Sequence, residues 1–168
     1  MSEHADLVRD GGQHFRHVLS HVPTGVVVVA GEDAGGPAGL AVGSFASISL
    51  EPPLVGFFCD RASTSWPLVR ETGGFCVNVL AHDQGDVSAR FARKGGAKFA
   101  GLPYSPSPHT GSPVLEGVLA WIDCEIEREV ELGDHMLVVG ATLELAVADD
   151  PGHPLVFFRG GYPGLSPD

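Results

Sequence analysis

The spacing of hydrophobic residues predicts one amphipathic helix and then a buried strand at the start of the chain. Four apolar residues recur at helical intervals before Pro23, which predicts a helix over residues 12–21. Residues 24–30, TGVVVVA, form a β-branched run typical of a strand that is covered on both faces, and residues 31–37 then predict a turn. The apolar helical positions are Phe15, Val18, Leu19 and Val22.

The middle of the chain alternates between strand patterns and short helix patterns. Two strands are predicted over residues 38–50 and 53–59, because the pair Pro52-Pro53 fits only at their junction. Hydroxyl residues before Pro67 favour a helix start, so a short helix is predicted to end near Glu71. The same criteria predict a strand over 75–80, a helix over 84–93 and a surface loop over 102–113, which contains four prolines.

The C-terminal third of the chain predicts a long hairpin. Residues 118–130 place apolar side chains at most even positions and acidic ones at several odd positions from Asp123 onward, which is the period of a strand with two different faces. Residues 137–147 repeat the alternation after Gly133-Asp134. A tight turn between two such runs indicates that they pair as antiparallel strands.

Many strands with short connections and few helices predict a mainly β fold. We expect an antiparallel barrel that is closed or nearly closed, because closure removes exposed sheet edges. The strand–helix–strand rhythm of a Rossmann domain is missing, and no Gly-x-Gly-x-x-Gly motif lies between a strand and a helix. A nicotinamide cofactor, if one is used, is therefore not expected to be held by a Rossmann domain.

The length of 168 residues predicts a single domain over 1–168, with flexible ends at 1–11 and 164–168. No apolar run approaches the roughly 20 residues of a membrane-spanning helix, and the N-terminal stretch lacks the hydrophobic segment of a secretory signal. The expected location is therefore the cytoplasm. The isolated cysteines predict neither a disulfide framework nor a zinc site; they are Cys59, Cys76 and Cys124.

The formal net charge of -11 argues against a nucleic-acid partner, because the chain repels a phosphate backbone. An anionic cofactor would need local positive charge within the screening distance of about 8 Å. Five of the ten basic residues lie in sequence segments with candidate chemistry, although a solvated basic face is the alternative explanation. They are Arg61, Arg90, Arg93, Lys94 and Lys98.

The stretch 39–55, GLAVGSFASISLEPPLV, places glycine, alanine and serine along strand-like runs. Such residues leave room for a flat ring near the backbone, and their amides and hydroxyls can bond a heteroaromatic edge. Plain strand alternation of the serines is the alternative explanation. Further short segments follow in order: CDRAS at 59–63, FCVNVL at 75–80, RFA at 90–92, KFAG at 98–101, GDH at 133–135 and PLVFF at 154–158.

In this order, and over nearly the whole chain, these segments resemble the short-chain flavin reductases, which serve two-component flavin monooxygenases. The resemblance implies an FMN-binding split barrel that uses FMN or FAD, with NADH or NADPH as a transient co-substrate. It also implies a homodimer with flavin near the interface, which supplies reduced flavin by diffusion to a separate monooxygenase. Two other functions stay open: a non-catalytic flavin carrier or redox sensor, and an electron-transfer flavoprotein.

The resemblance also implies which residues bind the flavin. Because the cofactors carry hydride transfer, no protein nucleophile or catalytic triad is expected among them. The free amides at the start of the helix after Ser65 are expected to add to phosphate binding. The implied contacts are Ala41, Val42, Gly43, Ser44 and Ser47 at the ring edge, Cys59 beneath the ring, Arg61, Ser63 and Ser65 at the phosphate, and Phe91, Ala92 and Lys98 in the rest of the cleft.

Three residues depart from the family pattern, and each departure removes a side chain that could bond the ring edge. Leu40 stands where methionine is usual, Ala41 where threonine is usual, and Gly43 where serine or asparagine is frequent. We expect backbone contacts to carry more of the binding, and weak binding suits a flavin that acts as a substrate.

Histidines and aromatic residues complete the set of candidates. The resemblance implies that His135 positions the nicotinamide, whereas a lone histidine at a strand start is ordinarily a surface residue. His14, His17 and His21 have a spacing that can bind a metal, and a polar helix face has the same spacing. The residues expected in the core are Trp66, Trp121 and the pairs Phe57-Phe58 and Phe157-Phe158.

Overall fold

The computed structural model describes residues 11–149 and 152–165, so most of the predicted flexible ends lies outside the described residues. Its helices are α1 (Gln13–Leu19), α2 (Trp66–Glu71) and α3 (Gly85–Ala92). Its strands are β1 (Thr24–Gly25), β2 (Val27–Asp33), β3 (Gly36–Val42), β4 (Ala46–Leu50), β5 (Pro53–Asp60), β6 (Gly74–Val79), β7 (Tyr104–Pro106), β8 (Pro113–Leu115), β9 (Ala120–Leu132), β10 (His135–Val147) and β11 (Val156–Phe157).

One seven-stranded antiparallel sheet forms the body of the fold, in the order β3-β2-β6-β9-β10-β5-β4. The expectation of a mainly β, antiparallel fold with few short helices is confirmed. The sheet is not closed, because β3 and β4 lie at its two ends and do not pair with each other. Two small sheets, β1-β11 and β7-β8, lie beside it. In the described part of the chain, no helix is long and apolar enough to cross a membrane.

The strand predicted at 24–30 is buried on both faces as expected, although the structure divides it into β1 and β2. β2 lies between β3 and β6, so its backbone is paired on both sides. Alternate side chains enter different cores: Val27 and Val29 belong to one cluster, and Val28 and Ala30 to the other. Because both faces of β2 are buried, each in a different core, every position of the strand favours an apolar residue, and the valine run is therefore continuous.

Aromatic packing gives the first core its shape. The rings of Phe57, Trp66 and Phe75 meet edge to face, with centroids 5.5–6.3 Å apart. All three are buried, so the expectation for Phe57 and Trp66 is confirmed. The expectation is wrong for Phe58 and Phe157, which are 45% and 41% exposed. Their strands lie at positions where one face is not covered by the described chain.

The single strand predicted over 38–50 is wrong, because the structure has two strands there. β3 pairs with β2, whereas β4 pairs with β5 at the opposite end of the sheet. Residues 43–45 carry the chain between these ends. The Ser44 hydroxyl oxygen accepts a hydrogen bond from the Phe58 amide at 2.9 Å and lies 3.2 Å from the Phe58 carbonyl oxygen, so the crossing is fixed to β5.

The surface loop predicted over 102–113 is also wrong, because Tyr104–Pro106 pairs with Pro113–Leu115 as β7 and β8. Prolines are tolerated there because this is a two-stranded sheet with open edges. The buried Asn78 side chain fixes β8 to the main sheet. Its amide group donates to the Pro113 carbonyl at 2.9 Å, and its oxygen accepts from the Leu115 amide at 2.7 Å.

The hairpin of β9 and β10 is confirmed, with the turn at Gly133-Asp134. The predicted acidic face of the first strand is wrong at one position. Asp123 belongs to the predicted acidic face, yet its side chain is fully buried. Its carboxylate accepts hydrogen bonds from the His109 and Thr110 amides and from the Thr110 hydroxyl. Register shifts in β10 break the simple alternation, and the carboxylate holds the loop before β8 against β9.

Helix α1 forms where the periodicity predicts it, but its apolar residues are not covered. Phe15, Val18, Leu19 and Val22 are each about half exposed. An apolar helical face predicts burial only when something packs on it, and the described chain packs nothing there that buries these side chains. The helix is connected to the fold at its end, where the Arg159 amide donates to the Ser20 carbonyl.

Candidate functional site

A cavity of about 300 Å³ opens between the end of β3, the end of β5, the C-terminal part of α3 and the start of β10. We name it the basic cleft, because Arg93, Lys94 and Lys98 line it. The sequence segments that form it lie far apart, and the sheet order brings them together. The cleft is lined by residues 40–43, 58–60, 63–65 and 91–94, with Lys98 and His135.

The end of β3 provides a wall of small residues with an accessible backbone. Ala41, Val42 and Gly43 line the basic cleft, as predicted, together with Leu40. A side chain at Gly43 would meet the Thr24 hydroxyl at 3.0 Å, which explains the glycine. Gly39, four residues earlier in the chain, lies against the ring of Phe91. Phe91 forms another wall of the cleft.

Cys59 and His135 lie on adjacent strands at one end of the basic cleft. Cys59 is buried, and this burial raises the pKa of its thiol, with the nearby Ser63 hydroxyl acting in the opposite direction. The thiol therefore stays protonated near neutral pH and serves as a small apolar surface rather than a nucleophile. In the sheet, His135 is paired with Asp60, the residue after Cys59.

The His135 ring is oriented by the residue before it. Its Nδ1 lies 2.7 Å from Asp134 Oδ1, and the His135 side chain is 46% exposed. The hydrogen bond from His135 lowers the pKa of the Asp134 carboxyl. The remaining ring nitrogen, Nε2, is the atom that this contact leaves for a ligand in the cleft.

The loop between β5 and α2 contributes hydroxyl side chains to the basic cleft. Ser63 and Ser65 line the basic cleft, as does Thr64. The Trp66 amide, at the start of α2, donates to the Ser63 hydroxyl oxygen at 3.1 Å. That amide is therefore satisfied within the chain, so it is not one of the free amides expected for an anion at the start of α2.

Arg61 does not line the basic cleft. Its guanidinium Nη1 lies 3.7 Å from the Glu131 carboxylate and 3.5 Å from the Gly133 carbonyl oxygen, so it is directed toward the turn of the β9-β10 hairpin. Arg93 and Lys94 line the cleft instead. The signal for them was in the sequence, since two cations directly precede the Gly95-Gly96 break.

Lys98 lies at the bottom of the basic cleft and is 8% exposed. Its Nζ donates to the Ser65 hydroxyl oxygen at 2.8 Å, to the Phe91 carbonyl at 3.0 Å and to the Gly39 carbonyl at 3.1 Å. Burial lowers the pKa of its amine. The three acceptors belong to three different segments, so Lys98 fixes the walls of the cleft relative to one another.

Ten of the thirteen predicted flavin and nicotinamide residues line the basic cleft. Ser44, Ser47 and Arg61 do not line it: Ser44 is bonded to Phe58, and Ser47 pairs with Val55 on the exposed edge. Sequence reasoning missed residues whose only signal is proximity in the fold. They are Leu40, Phe58, Asp60 and Thr64, whereas Arg93 and Lys94 were candidates by their charge alone.

The three helix histidines do not form a metal centre in this structure. Within residues 11–149 and 152–165, no group of three histidine, cysteine or acidic side chains is arranged to hold a metal ion. His17 and His21 instead contact each other edge to face, and the His21 Nδ1 lies 2.9 Å from the His17 carbonyl oxygen. The spacing follows from a polar helix face.

Comparison with known proteins gives a matching family and several relatives. Residues 19–166 match the family model described as a flavin reductase like domain. The chain is 50% identical over 165 residues to a flavin reductase of Pseudomonas putida, covering 96% of each chain. It is 46% identical to the reductase subunit HsaB of a flavin-dependent monooxygenase from Mycobacterium tuberculosis, covering 92% of this chain and 82% of that one.

A solved structure extends the comparison to three dimensions. The NADH:FAD oxidoreductase SgcE6 of Streptomyces globisporus, in complex with NAD and FAD fragments, superimposes with a TM-score of 0.88. The two chains are 27% identical, and the match covers 95% of each. The two proteins therefore share their overall fold.

Proposed function

The chain belongs to the flavin reductase family, and from this premise we propose that it transfers a hydride from NADH to FMN or FAD and supplies the reduced flavin to a separate monooxygenase. The observation that carries the proposal is the composition of the basic cleft. One cleft combines an accessible strand backbone at 41–43, a neutral thiol at Cys59, and cations at Arg93 and Lys94. These are the features that a flat ring with an anionic tail requires.

The residues of the basic cleft fit a flavin mononucleotide. A cavity of about 300 Å³ is at the lower end of the range of about 300–1,000 Å³ for small-molecule sites. Backbone groups of 41–43 would hold the ring edge, and Cys59 would lie against the ring face. The hydroxyls of Ser63 and Ser65, together with Arg93 and Lys94, would hold the phosphate. A bound flavin supplies the hydride-accepting ring, and the protein supplies its position.

His135 positions the nicotinamide rather than exchanging a proton with it. Asp134 holds the ring through Nδ1, so Nε2 is available to bond the carboxamide of a dihydronicotinamide that lies over the cleft. Hydride transfer demands a donor–acceptor distance of about 3–3.5 Å, so small shifts in orientation have large effects on rate. The proposed role is therefore geometric.

We further propose that the protein acts as a homodimer in the cytoplasm. Apolar side chains are exposed on α1, on β4 and near the end of β10, which suits burial against a second copy. These side chains include Phe15, Ile48, Leu50, Leu145 and Val147. Three unpaired buried thiols suit a reducing compartment. Sedimentation equilibrium at several concentrations tests the dimer directly.

The activity is tested with purified protein, NADH and added FMN or FAD in air, following the dihydronicotinamide absorbance band. We expect NADH loss only when flavin is present, rising with flavin concentration, and slower loss with NADPH. Anaerobic reduction followed by ultrafiltration should recover reduced flavin in the filtrate. Flavin binding without NADH oxidation would instead support a carrier, and reduced flavin that stays with the protein but reduces an added acceptor protein would support electron transfer.

A further inference from the structure

Glu129, on β9, does not line the basic cleft, and the proposed reaction leaves it without a role. Its side chain is only 23% exposed. Its Oε1 accepts a hydrogen bond from the indole Nε1 of Trp66 at 2.6 Å, and Trp66 is 1% exposed. Its Oε2 lies 3.6 Å from Nη1 of Arg70. One carboxylate therefore contacts two side chains of α2 that lie about one helical turn apart, on the same side of the helix.

A bulge in β9 explains why Glu129 faces the interior. Before the bulge, Cys124 and Ile126 pack in or against the first core. The pairing with β10 then shifts by one position, so that Glu127 is an extra residue in β9. An inserted residue moves the side chains that follow it to the opposite face of the strand. Glu129 therefore lies on the same side of β9 as Cys124 and Ile126.

Trp66 connects Glu129 to the wall of the basic cleft. The Trp66 ring packs in the aromatic cluster of the first core, and the Trp66 amide donates to the Ser63 hydroxyl oxygen at 3.1 Å. Ser63 and Ser65 both line the cleft. A hydrogen bond from a buried indole fixes the orientation of its ring more strictly than apolar packing alone. Because the same residue begins α2 and bonds Ser63, its orientation also determines where the two hydroxyls face.

The charge of Glu129 does not explain its place near an anion site. An acidic side chain close to a phosphate weakens the binding of that phosphate by repulsion. Burial is the largest cause of the raised pKa of the Cys59 thiol, and the charge of Glu129 adds to it, so this charge acts on a residue that lines the basic cleft. The hydrogen bond from Trp66 is the contact that accounts for an acid at this position.

We propose, on the basis of the proposed function, that Glu129 is a positioning residue for the flavin phosphate, because it holds Trp66 and α2 so that the Ser63 and Ser65 hydroxyls face the basic cleft. Glu129 itself does not contact the flavin and takes no part in hydride transfer. Its loss should therefore weaken the binding of FMN, which carries a phosphate, and spare riboflavin, which carries none.

The test measures the dissociation constants of FMN and riboflavin by fluorescence titration. Glu129→Leu removes the acceptor of the indole hydrogen bond, and we expect about tenfold weaker FMN binding with riboflavin changed by less than about twofold. Glu129→Gln keeps an oxygen acceptor and removes the charge. It should bind FMN at least as tightly as the wild-type protein, because the repulsion is lost and the contact is kept. Weaker FMN binding in Glu129→Gln, equal to that in Glu129→Leu, overturns the proposal.

Two controls separate the indole contact from other effects of the substitution. Arg70→Met removes only the ion pair, whose arginine side chain is 58% exposed, and should change FMN binding by less than about twofold. Glu125→Leu replaces an exposed acid on the same strand and should also have little effect. An FMN-selective loss in Arg70→Met as large as that in Glu129→Leu would assign the effect to the ion pair and overturns the role of Trp66.

A purely structural role for Glu129 predicts a different result. Loosened core packing would weaken FMN and riboflavin alike and would lower the maximal rate of NADH oxidation with either flavin. A positioning role leaves the maximal rate at saturating riboflavin unchanged. Equal weakening of the two flavins in Glu129→Leu, or a lower maximal rate with riboflavin, therefore overturns the proposal.

Trp66→Phe provides the same test if Glu129→Leu does not fold. It removes the indole N–H but keeps an aromatic ring in the core, and the partly exposed Glu129 carboxylate can then bond to water. We expect the same selective loss of FMN affinity. Wild-type affinity for FMN in folded Trp66→Phe overturns the proposal.

The failure of this proposal is distinguishable from the failure of the proposed function. The wild-type preparation is assayed for NADH oxidation with FMN and with riboflavin. A wild-type protein that leaves NADH untouched loses the reductase function, whereas the ratio of FMN affinity to riboflavin affinity still decides the role of Glu129. A wild-type protein that oxidises NADH, with an unchanged ratio in Glu129→Leu, retains its function and loses only the positioning role.

Discussion

The ammonium nitrogen of Lys98 lies 2.8 Å from the hydroxyl oxygen of Ser65, and this contact joins the loop after α3 to the residue before α2. The same nitrogen donates to carbonyl groups of β3 and α3. A buried cation that satisfies three acceptors from three segments stabilises their arrangement, because losing it would leave those acceptors unpaired in the interior. The shape of the basic cleft thus depends on one side chain beneath it.

Replacing Lys98 with methionine should destabilise the fold and widen the basic cleft. Lys98→Met keeps the length of the side chain but leaves the Gly39 and Phe91 carbonyls without a donor. We expect a loss of about 2–4 kcal/mol in the free energy of unfolding, measured in urea. Lys94→Met, at an exposed position, should change the same quantity by less than about 0.5 kcal/mol. Equal effects of the two substitutions would contradict the role of Lys98.

Gly39→Ala should destabilise the protein through the ring of Phe91. An added Cβ would lie 2.9 Å from Phe91 Cε1 and 3.0 Å from the Val29 carbonyl oxygen, so a wall of the basic cleft has to move. We expect a cost of about 1–3 kcal/mol in thermal or urea unfolding, with weaker flavin binding. Gly25→Ala is the control, because a Cβ at Gly25 meets nothing within 4 Å.

Arg93 should contribute more to phosphate binding than Arg61. Arg93 lines the basic cleft, whereas the Arg61 guanidinium lies beside Glu131. Arg93→Ala should weaken FMN by about tenfold and leave riboflavin nearly unaffected, because a partly exposed charged contact contributes about 1–2 kcal/mol. Fluorescence titrations with both flavins measure the difference. If Arg61→Ala instead weakens the binding of FMN but not of riboflavin, Arg61 is the phosphate contact, as the resemblance implies.

His135→Ala should impair the use of NADH without impairing the flavin. We expect lower turnover or a higher Michaelis constant for NADH, by up to about 100-fold, because the donor loses its orientation. Flavin affinity should stay within about twofold, and the activity should vary little with pH, since no substrate proton is removed. His153→Ala, at an exposed position outside the basic cleft, is the control. Wild-type NADH kinetics in His135→Ala would make this histidine a surface residue.

The buried thiols should make the protein less stable above pH 9. Burial raises the pKa of the Cys124 thiol to about 12 from its ordinary value of 9.0. Between these values the unfolded chain binds fewer protons than the folded chain, so the free energy of unfolding falls as pH rises. The stabilisation is fully present below pH 9.0 and is lost toward pH 12. Cys124→Ala should show a shallower decline, and an identical decline would exclude the thiol as its cause.

Local sequence patterns predicted those features that depend on neighbours along the chain. The valine run at 27–30, the turn at Gly133-Asp134 and the helix start at Trp66 were each visible as a period or a special residue. The resemblance to flavin reductases predicted the family, and most of the implied contacts line one cleft. Pattern and resemblance failed where a residue's partner is distant in sequence, as for Asp123 and the loop at 107–112.

The sequence by itself determined the mainly β fold, the family and the small-residue edge at 41–43, because these follow from side-chain size, periodicity and ordered motifs. Only the tertiary structure decided that the strand pattern at 38–50 crosses between the two ends of the sheet, that Arg61 lies beside Glu131, and that Arg93 lines the cleft. The physical reason is that a strand or a charged side chain has several possible partners far away in the sequence. The order of residues alone does not show which of these partners it contacts in the folded chain.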